Sequence, residues 1–240
     1  MATGYNRGVD LPDRALFYER FASEFDDKMN RYEVSKRLRL VFDEALGGVD
    51  LTGRALLDAG CGTGLFSECA CSRGAEVTSM DVGEALLERV AEKCESTRVV
   101  GDVTRLPFAA QSFDVVINTE VIEHTLDPRR AVGELARVLR PGGTLILTTP
   151  NHVWHWSIEL ASRLRIRPYQ GVENWVRWRE LQDWLRDDGL TIEDFRGFNA
   201  LPFLHPALYG ANDRLDRFGH GPLGRYMINM IAVANKSSQA

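Results

Sequence analysis

The chain has 240 residues, 44% of them hydrophobic and 26% charged, with a formal net charge of -5. That length suits one α/β domain with some decoration and leaves two full domains cramped, and the ordinary composition excludes a disordered or fibrous chain. An acidic balance gives no general attraction to a nucleic-acid backbone, so no nucleic-acid partner is expected. The arginines at Arg163, Arg165 and Arg167 read as a solvated helix end. The four cysteines, Cys61, Cys69, Cys71 and Cys94, lack metal-finger spacing and read as small fillers in a reducing compartment. No apolar run approaches membrane-spanning length, and the N-terminus has no basic start followed by an apolar stretch; a cytoplasmic protein is the expectation.

From Leu11 to Leu46 apolar residues recur at three- and four-residue intervals (Leu16, Phe17, Phe21, Phe25, then Val34, Leu38, Val41, Phe42, Leu46), which predicts two amphipathic helices ended by Gly47 and Gly48. Residues 54–58 form a short buried strand running into glycines. A helix over 65–73, a strand over 75–80, a helix over 84–93 and a strand over 97–100 follow. Next come a strand over 113–118, a helix over 128–139 closed by Pro141, Gly142 and Gly143, and a strand over 144–149 ending at Pro150. Strict alternation predicts an α/β fold: a doubly wound, Rossmann-like, mostly parallel sheet of about seven strands, the last pair antiparallel. Beyond Pro150 the pattern gives a helical segment over 151–167, a helix over 177–186, a strand over 190–198 and a last strand over 226–234. Long insertions in a compact domain are usually functional, so 151–175 and 199–225 are read as a helical and loop cover.

The turn Asp58-Ala59-Gly60-Cys61-Gly62-Thr63-Gly64 lies between the first strand and its helix. Glycines there let backbone approach a nucleotide ligand, and an acid roughly 20 residues on, here Asp81, can hold ribose hydroxyls. The same features would serve NAD in an oxidoreductase. The dinucleotide fingerprint, however, requires glycine in its sixth place, where this chain has Leu65, with the third glycine one residue early at Gly64.

With Leu57 before it, this turn resembles the first motif of the class I S-adenosylmethionine-dependent methyltransferases. Later landmarks do so in order: Met80-Asp81-Val82, Gly101-Asp102-Val103, Leu106-Pro107-Phe108, Phe113-Asp114-Val115-Val116, Glu120-Val121-Ile122-Glu123-His124 and Leu139-Arg140-Pro141-Gly142-Gly143. The likeness covers roughly Phe17 to Pro150. Within it, Glu120 to His124 looks most like the ubiquinone-biosynthesis O-methyltransferases, which carry E-x-x-E-H there. The resemblance implies one methyltransferase domain: a helical cap over 1–50, a cofactor core over 51–150, and substrate cover with the last strands over 151–240. It puts the methionine part of S-adenosylmethionine against Gly60, Cys61 and Gly62, with Asp58 orienting its amino group. Asp81, with Val82 beside it, would hold the ribose; Asp102 and the backbone of Val103 would meet the adenine; Thr119 would line the methionine side. Either Arg37 or Arg39 would contact the carboxylate.

Transfer from a sulfonium needs an acceptor in line with the methyl and, for a hydroxyl, a base. His124, just beyond a strand, is the candidate base, against the plainer reading of a hydrogen-bonded structural histidine. Glu120, Glu123 and His124 stand at i, i+3 and i+4, so a helical turn would gather them on one face, where they could hold Mg²⁺; a carboxylate that merely orients the imidazole is the alternative. His152, Trp154, His155 and Trp156 follow the fifth strand and are read as acceptor-pocket residues or, for most of the tryptophans with Trp175, Trp178 and Trp184, as packing; His155 is a reserve base. Tyr18 and Phe25 in the first helix read as core, against the alternative of closing over the cofactor. The expected activity is methylation of a small-molecule acceptor, most simply at oxygen, with carbon and nitrogen open. The rivals are an NAD-dependent oxidoreductase and a protein that binds the cofactor without turnover.

Overall fold

The computed structural model describes residues 30–157, 173–201 and 206–238. The first expected amphipathic helix, Tyr18, Phe25 and the arginines at 163, 165 and 167 lie outside these residues.

Seven strands form one sheet: β1 (Ala55–Ala59), β2 (Glu76–Asp81), β3 (Thr97–Val100), β4 (Phe113–Thr119), β5 (Leu139–Pro150), β6 (Leu190–Phe198) and β7 (Asn229–Lys236), in the order β3-β2-β1-β4-β5-β7-β6. All neighbours pair in parallel except at β7, which runs antiparallel to both β5 and β6. The strands read as continuous apolar runs because both faces are covered: on β1, Leu56 belongs to one core and Leu57 and Ala59 to the other, all with no exposure.

One face carries α1 (Arg31–Leu38), which continues as a π-helical stretch (Arg39–Ala45), and α2 (Leu65–Ser72). Leu40, Val41, Phe42 and Phe66 pack there on Val115, Ile117 and Ile231. Helix α3 (Glu84–Ala91) buries Leu87 and Val90 against Cys61. The other face holds α4 (Pro128–Val138) and α5 (Trp178–Asp187). Helix α4 starts where chemistry dictates: Pro128 takes the first turn, and the Asp127 side chain caps it by accepting from Arg130 N at 3.0 Å. Its buried stripe of Ala131, Val132, Leu135, Ala136 and Val138 follows the helical period. Trp178 meets Phe195 edge to face at 4.6 Å, so Trp178 and Trp184 serve packing, as expected.

Most boundaries fall within about two residues of the sequence expectation, and the starts of β5 and β7 depart furthest. Helix α4 passes directly into β5 at Leu139, and the register jumps from Phe113↔Leu139 to Val115↔Thr144, so 140–143 loop out with Gly142 at φ 77. The glycines therefore interrupt a strand rather than precede it. Strand β7 begins at Asn229, because Tyr226 belongs to a 3-10 turn (Gly224–Tyr226) that closes the β6–β7 insertion. That insertion includes α6 (Tyr209–Leu215), flanked by 3-10 turns Pro206–Leu208 and Asp216–Phe218.

The sheet order reverses between β1 and β4, and ligands in open α/β sheets bind outside the carboxyl ends of strands at such a switch. The glycine turn follows β1 and Glu120 follows β4, one on each side of that crevice.

Candidate active site

The turn after β1 is possible because three of its residues lack Cβ. Gly60, Gly62 and Gly64 have φ of 81, 54 and 86, values that cost an L side chain free energy. At Gly60 a Cβ would also overlap Cγ2 of Val121. Gly60 N and Cys61 N both donate to Met80 O, pinning the turn to the end of β2. Asp81 completes the attachment: Oδ2 accepts from Gly62 N at 2.9 Å and Oδ1 from Gly83 N at 3.0 Å. A carboxylate offers about four acceptor directions, so both oxygens retain capacity for hydroxyl donors.

Beneath the turn Asp58 is 1% exposed and accepts from Ser67 Oγ on α2 at 2.7 Å. Ser67 meets Ser79 at 2.7 Å, and Ser79 meets Ser96 at 2.8 Å. Burial, aided by the charge on Asp81 and opposed by Ser67, raises the Asp58 carboxyl to about 7. Asp58 is thus turned toward α2, supporting the turn from below. This serine ladder was not read from the sequence, since serines at such spacing carry no pattern. Cys61 points its side chain into the core beside Leu87 and Val90, and Val103 is buried in the main core, so each can offer a ligand only backbone. Asp102 accepts from Thr104 N at 2.8 Å, folding the loop after β3 across the same end of the sheet. Asp58, Asp81, Asp102 and Thr119 therefore stand at the ends of four adjacent strands. Asn118, unmarked in the sequence, is fully buried on β4; its Nδ2 donates to Ala59 O at 2.8 Å while its Oδ1 accepts no hydrogen bond among the described residues. An unpaired buried acceptor beside a glycine turn fits a site shaped to receive a polar ligand.

The segment after β4 corrects the sequence expectation. Glu120 has φ 55 and only Ile122–His124 is helical, as a single 3-10 turn, so the i, i+3, i+4 face presumed for Glu120, Glu123 and His124 does not form. Glu120 turns back to accept from Thr148 Oγ1 at 2.9 Å and Asn229 Nδ2 at 3.0 Å. Glu123, 1% exposed, accepts from Thr149 Oγ1 at 3.1 Å. Only His124 Nε2 and Glu123 Oε1 approach, at 3.9 Å. Among the described residues no three His, Cys, Asp or Glu side chains group to hold a metal ion, and of the three candidate ligands for Mg²⁺ Glu120 turns away to Thr148 and Asn229. Burial pushes Glu120 up to about 7, with Arg37 opposing, and Glu123 up to about 8, with its hydrogen bonds opposing.

Arg37 and Arg39 separate clearly. Arg37, 11% exposed in its side chain, lies with Nη1 3.7 Å from Glu120 Oε2, whereas Arg39 is half-exposed and faces Glu44 at 3.5 Å. Arg37 is at the crevice. Its neighbour Lys36 is buried and reaches Asp216 at 2.7 Å, Asp213 at 2.8 Å and Asn199 Oδ1 at 3.0 Å. Asn199, itself at φ 59, donates through Nδ2 to Asn229 Oδ1 at 3.2 Å. A polar path therefore runs from the β6–β7 insertion through Asn199 and Asn229 to Glu120 and Arg37.

A strap ties the His124 turn to a cluster of rings. Asn174 N donates to Glu123 O at 2.7 Å and its Nδ2 to Thr125 O at 2.7 Å, while His152 N donates to Val176 O at 3.0 Å. The 174–176 strap thereby joins the His124 turn to His152, which stacks on His155 at 5.6 Å; His155 meets Trp175 edge to face at 5.8 Å. Burial, then the nearby Arg177 charge, lowers the His152 imidazole below its ordinary value. Trp154 donates from Nε1 to Tyr226 O at 2.7 Å and is not free to face an acceptor through that edge.

Residues 57–147 match the family model described as a methyltransferase domain. A ubiquinone biosynthesis O-methyltransferase of Marinobacter nauticus is 32% identical over 216 residues, 82% of this chain and 89% of that protein. One from Coxiella burnetii is 30% identical over 186 residues, 73% of this chain and 79% of that protein. Among solved structures, magnesium protoporphyrin IX methyltransferase from Synechocystis PCC 6803 superposes with a TM-score of 0.67 at 17% identity, covering 94% of this chain and 98% of the other. A Mesorhizobium loti S-adenosylmethionine-dependent methyltransferase gives 0.63 at 18%, covering 91% and 100%. These two speak to fold alone. No helix among the described residues is long and apolar enough to cross a membrane. The oxidoreductase alternative is set aside, and with the turn, the sheet order and these relatives together, the chain belongs to the class I S-adenosylmethionine-dependent methyltransferases.

Proposed function

We propose that the enzyme methylates a hydroxyl oxygen of a small, ring-bearing acceptor, with His124 as the general base. The observation that carries this reading is the partly exposed His124 side chain, 3.9 Å from Glu123 on the turn that follows β4 at the switch point; Asn174 ties that turn by hydrogen bonds to the strap carrying Trp175. The names of the relatives, ubiquinone biosynthesis O-methyltransferases, support oxygen as the target atom.

The residues present fit S-adenosylmethionine. The backbone of Gly60, Cys61 and Gly62 and the Arg37 guanidinium would hold the methionine moiety, Thr119 would line it, Asp81 with Val82 would hold the ribose, and Asp102 with the Val103 backbone the adenine. Asp58 supports the turn through Ser67. Bound there, the cofactor supplies a methyl already activated on a sulfonium. The protein's share is geometric and acid–base. The ring wall orients the acceptor for in-line attack. His124 would accept the hydroxyl proton as the acceptor oxygen takes the methyl from the sulfonium, and the buried Glu123 lies beside it at 3.9 Å. Glu120 acts on Arg37 rather than on the acceptor. No step is routed through Mg²⁺, because Glu120, Glu123 and His124 do not converge.

The test is turnover with S-adenosylmethionine against matched catechol, aniline and activated-carbon acceptors, with products resolved by mass. O-methyl products that disappear in His124→Ala, while S-adenosylhomocysteine binding persists, support the reading. Exclusive N- or C-methylation would overturn it.

A further inference from the structure

The helical segment of the β6–β7 insertion, from Pro206 to Phe218, is amphipathic in the reverse sense. Its protein-facing residues are polar. Asn212 is buried and bonded to Asn199 Oδ1 and Tyr32, Asp213 accepts from Tyr32 at 2.7 Å, and Asp213 and Asp216 both hold Lys36. Among its solvent-facing residues Leu208, Ala211, Leu215 and Phe218 are spaced three, four and three apart and form a single apolar stripe, with Arg214 and Arg217 beside it. Leu208 is 47%, Leu215 36% and Phe218 43% exposed. A helix in a water-soluble domain normally buries such a stripe and solvates its acids. Here a buried lysine draws the acids inward and the leucines face out. The turn that follows adds exposed Leu223 and Tyr226, and the Trp154–Tyr226 hydrogen bond brings exposed Trp156 and Val153 alongside.

Charge sorts the same way. Between Asn199 and Asn229 the only acids are Asp213 and Asp216, both committed to Lys36, while Arg214, Arg217 and Arg225 are all exposed. The guanidinium of Arg217 lies over Phe218 and that of Arg225 over Tyr226, each 4.8 Å from the ring centroid. On a chain of net charge -5, this face carries a local excess of cations interleaved with apolar and aromatic side chains. That is the composition of a helix lying in a lipid headgroup region, where apolar residues enter the acyl boundary and arginines meet anionic headgroups.

We propose that Leu208, Leu215, Phe218, Leu223 and Tyr226, with Arg214, Arg217 and Arg225, form a docking face for an anionic membrane surface. The insertion joins β6 and β7 at the carboxyl end of the parallel strands, so a docked enzyme presents its crevice to the lipid, and an acceptor dissolved there need not cross water. The docking face stands independently of the O-methylation reading, since it rests on residues outside the crevice.

The test is flotation of the full chain with vesicles of phosphatidylcholine alone and with about one quarter phosphatidylglycerol. Wild type floats with the anionic vesicles, weakly with neutral ones, and is released by high salt. L215E/F218E lowers anionic-vesicle binding by at least about tenfold, and R214Q/R217Q/R225Q removes the preference for phosphatidylglycerol, both with unchanged melting temperature and S-adenosylhomocysteine affinity. Wild-type chain that stays with neither vesicle, or binding untouched by either variant, overturns the proposal. So does a wild-type dimer in light scattering that L215E/F218E converts to monomer, because the face then belongs to a second copy of this chain.

Discussion

The two ends of the crevice are built on different principles. At the β3-β2-β1-β4 end the ligand-facing surface is mostly backbone, and its shape comes from positive φ at Gly60, Gly62 and Gly64 and from Asp81 gripping two amide nitrogens. At the β5-β7-β6 end the surface is a mesh of side chains, with Lys36, Glu120, Asn199, Asp216 and Asn229 bonded to one another across long sequence separations. The first is dictated by local conformation, the second by assembly. Mutations should therefore act differently at the two ends, strongly on ligand binding at the first and on chemistry or stability at the second.

The largest expected effect is on His124. His124→Ala should lower kcat by roughly a thousandfold, within the range for losing general base catalysis, with S-adenosylhomocysteine affinity changed less than about twofold. Equal losses in both would make the histidine structural. Asp81→Ala should weaken S-adenosylhomocysteine by about a hundredfold in calorimetry, since two hydroxyl partners and the anchor of Gly62 vanish together. Unchanged affinity would move the ribose elsewhere.

Lys36→Met should cost about 2 kcal/mol in denaturant unfolding. It strands Asp213 and Asp216, and the first of these is 36% exposed in its side chain, so the loss sits below that of a fully buried pair. If the polar path is continuous, cofactor affinity falls in the same variant, and an unchanged affinity would show the two ends to be uncoupled.

A gentler probe is pH. Asp58 and Glu120 sit at about 7 and Glu123 at about 8, all above the ordinary carboxylate value. A carboxyl raised by folding binds its proton more tightly when native, so this contribution is complete below about pH 4 and is lost as pH rises toward 8. The melting temperature should drop between about pH 4 and about pH 8, and Asp58→Asn should flatten part of that slope. A melting temperature that rises across the window would contradict the burial of these acids. The smallest effect expected is none: EDTA should leave turnover unchanged, because Glu120 turns to Thr148 and Asn229 and does not join Glu123 and His124.

The same division explains what could be read from the residues alone. The glycine turn was legible because positive backbone φ at three alternate positions favours glycine, and strands β3 and β6 were placed to the residue because Gly101 ends the one and Gly189 and Asn199 bracket the other. Glu120 was misplaced because helical spacing was assumed where the backbone turns left-handed, a conformation no neighbouring residue announces. Arg37 and Arg39 were indistinguishable until α1 acquired a rotation. Lys36, Asn199 and Asn229 gave no signal, since single polar residues far apart in sequence carry no period.

That rotation depends on the π-helical stretch from Arg39 to Ala45, which links the working end of α1 to the anchors Phe42 and Leu46 in the core. Such a stretch holds a wider turn than an α-helix, commonly as one inserted residue. It therefore fixes an angular phase, as a keyed shaft fixes a cam. Removing one residue between Arg39 and Phe42 would change the rotation of Lys36 and Arg37 relative to the anchors Phe42 and Leu46. Because the two cations are consecutive, neither could be retuned alone: the grip on the insertion and the approach to the crevice would slip together.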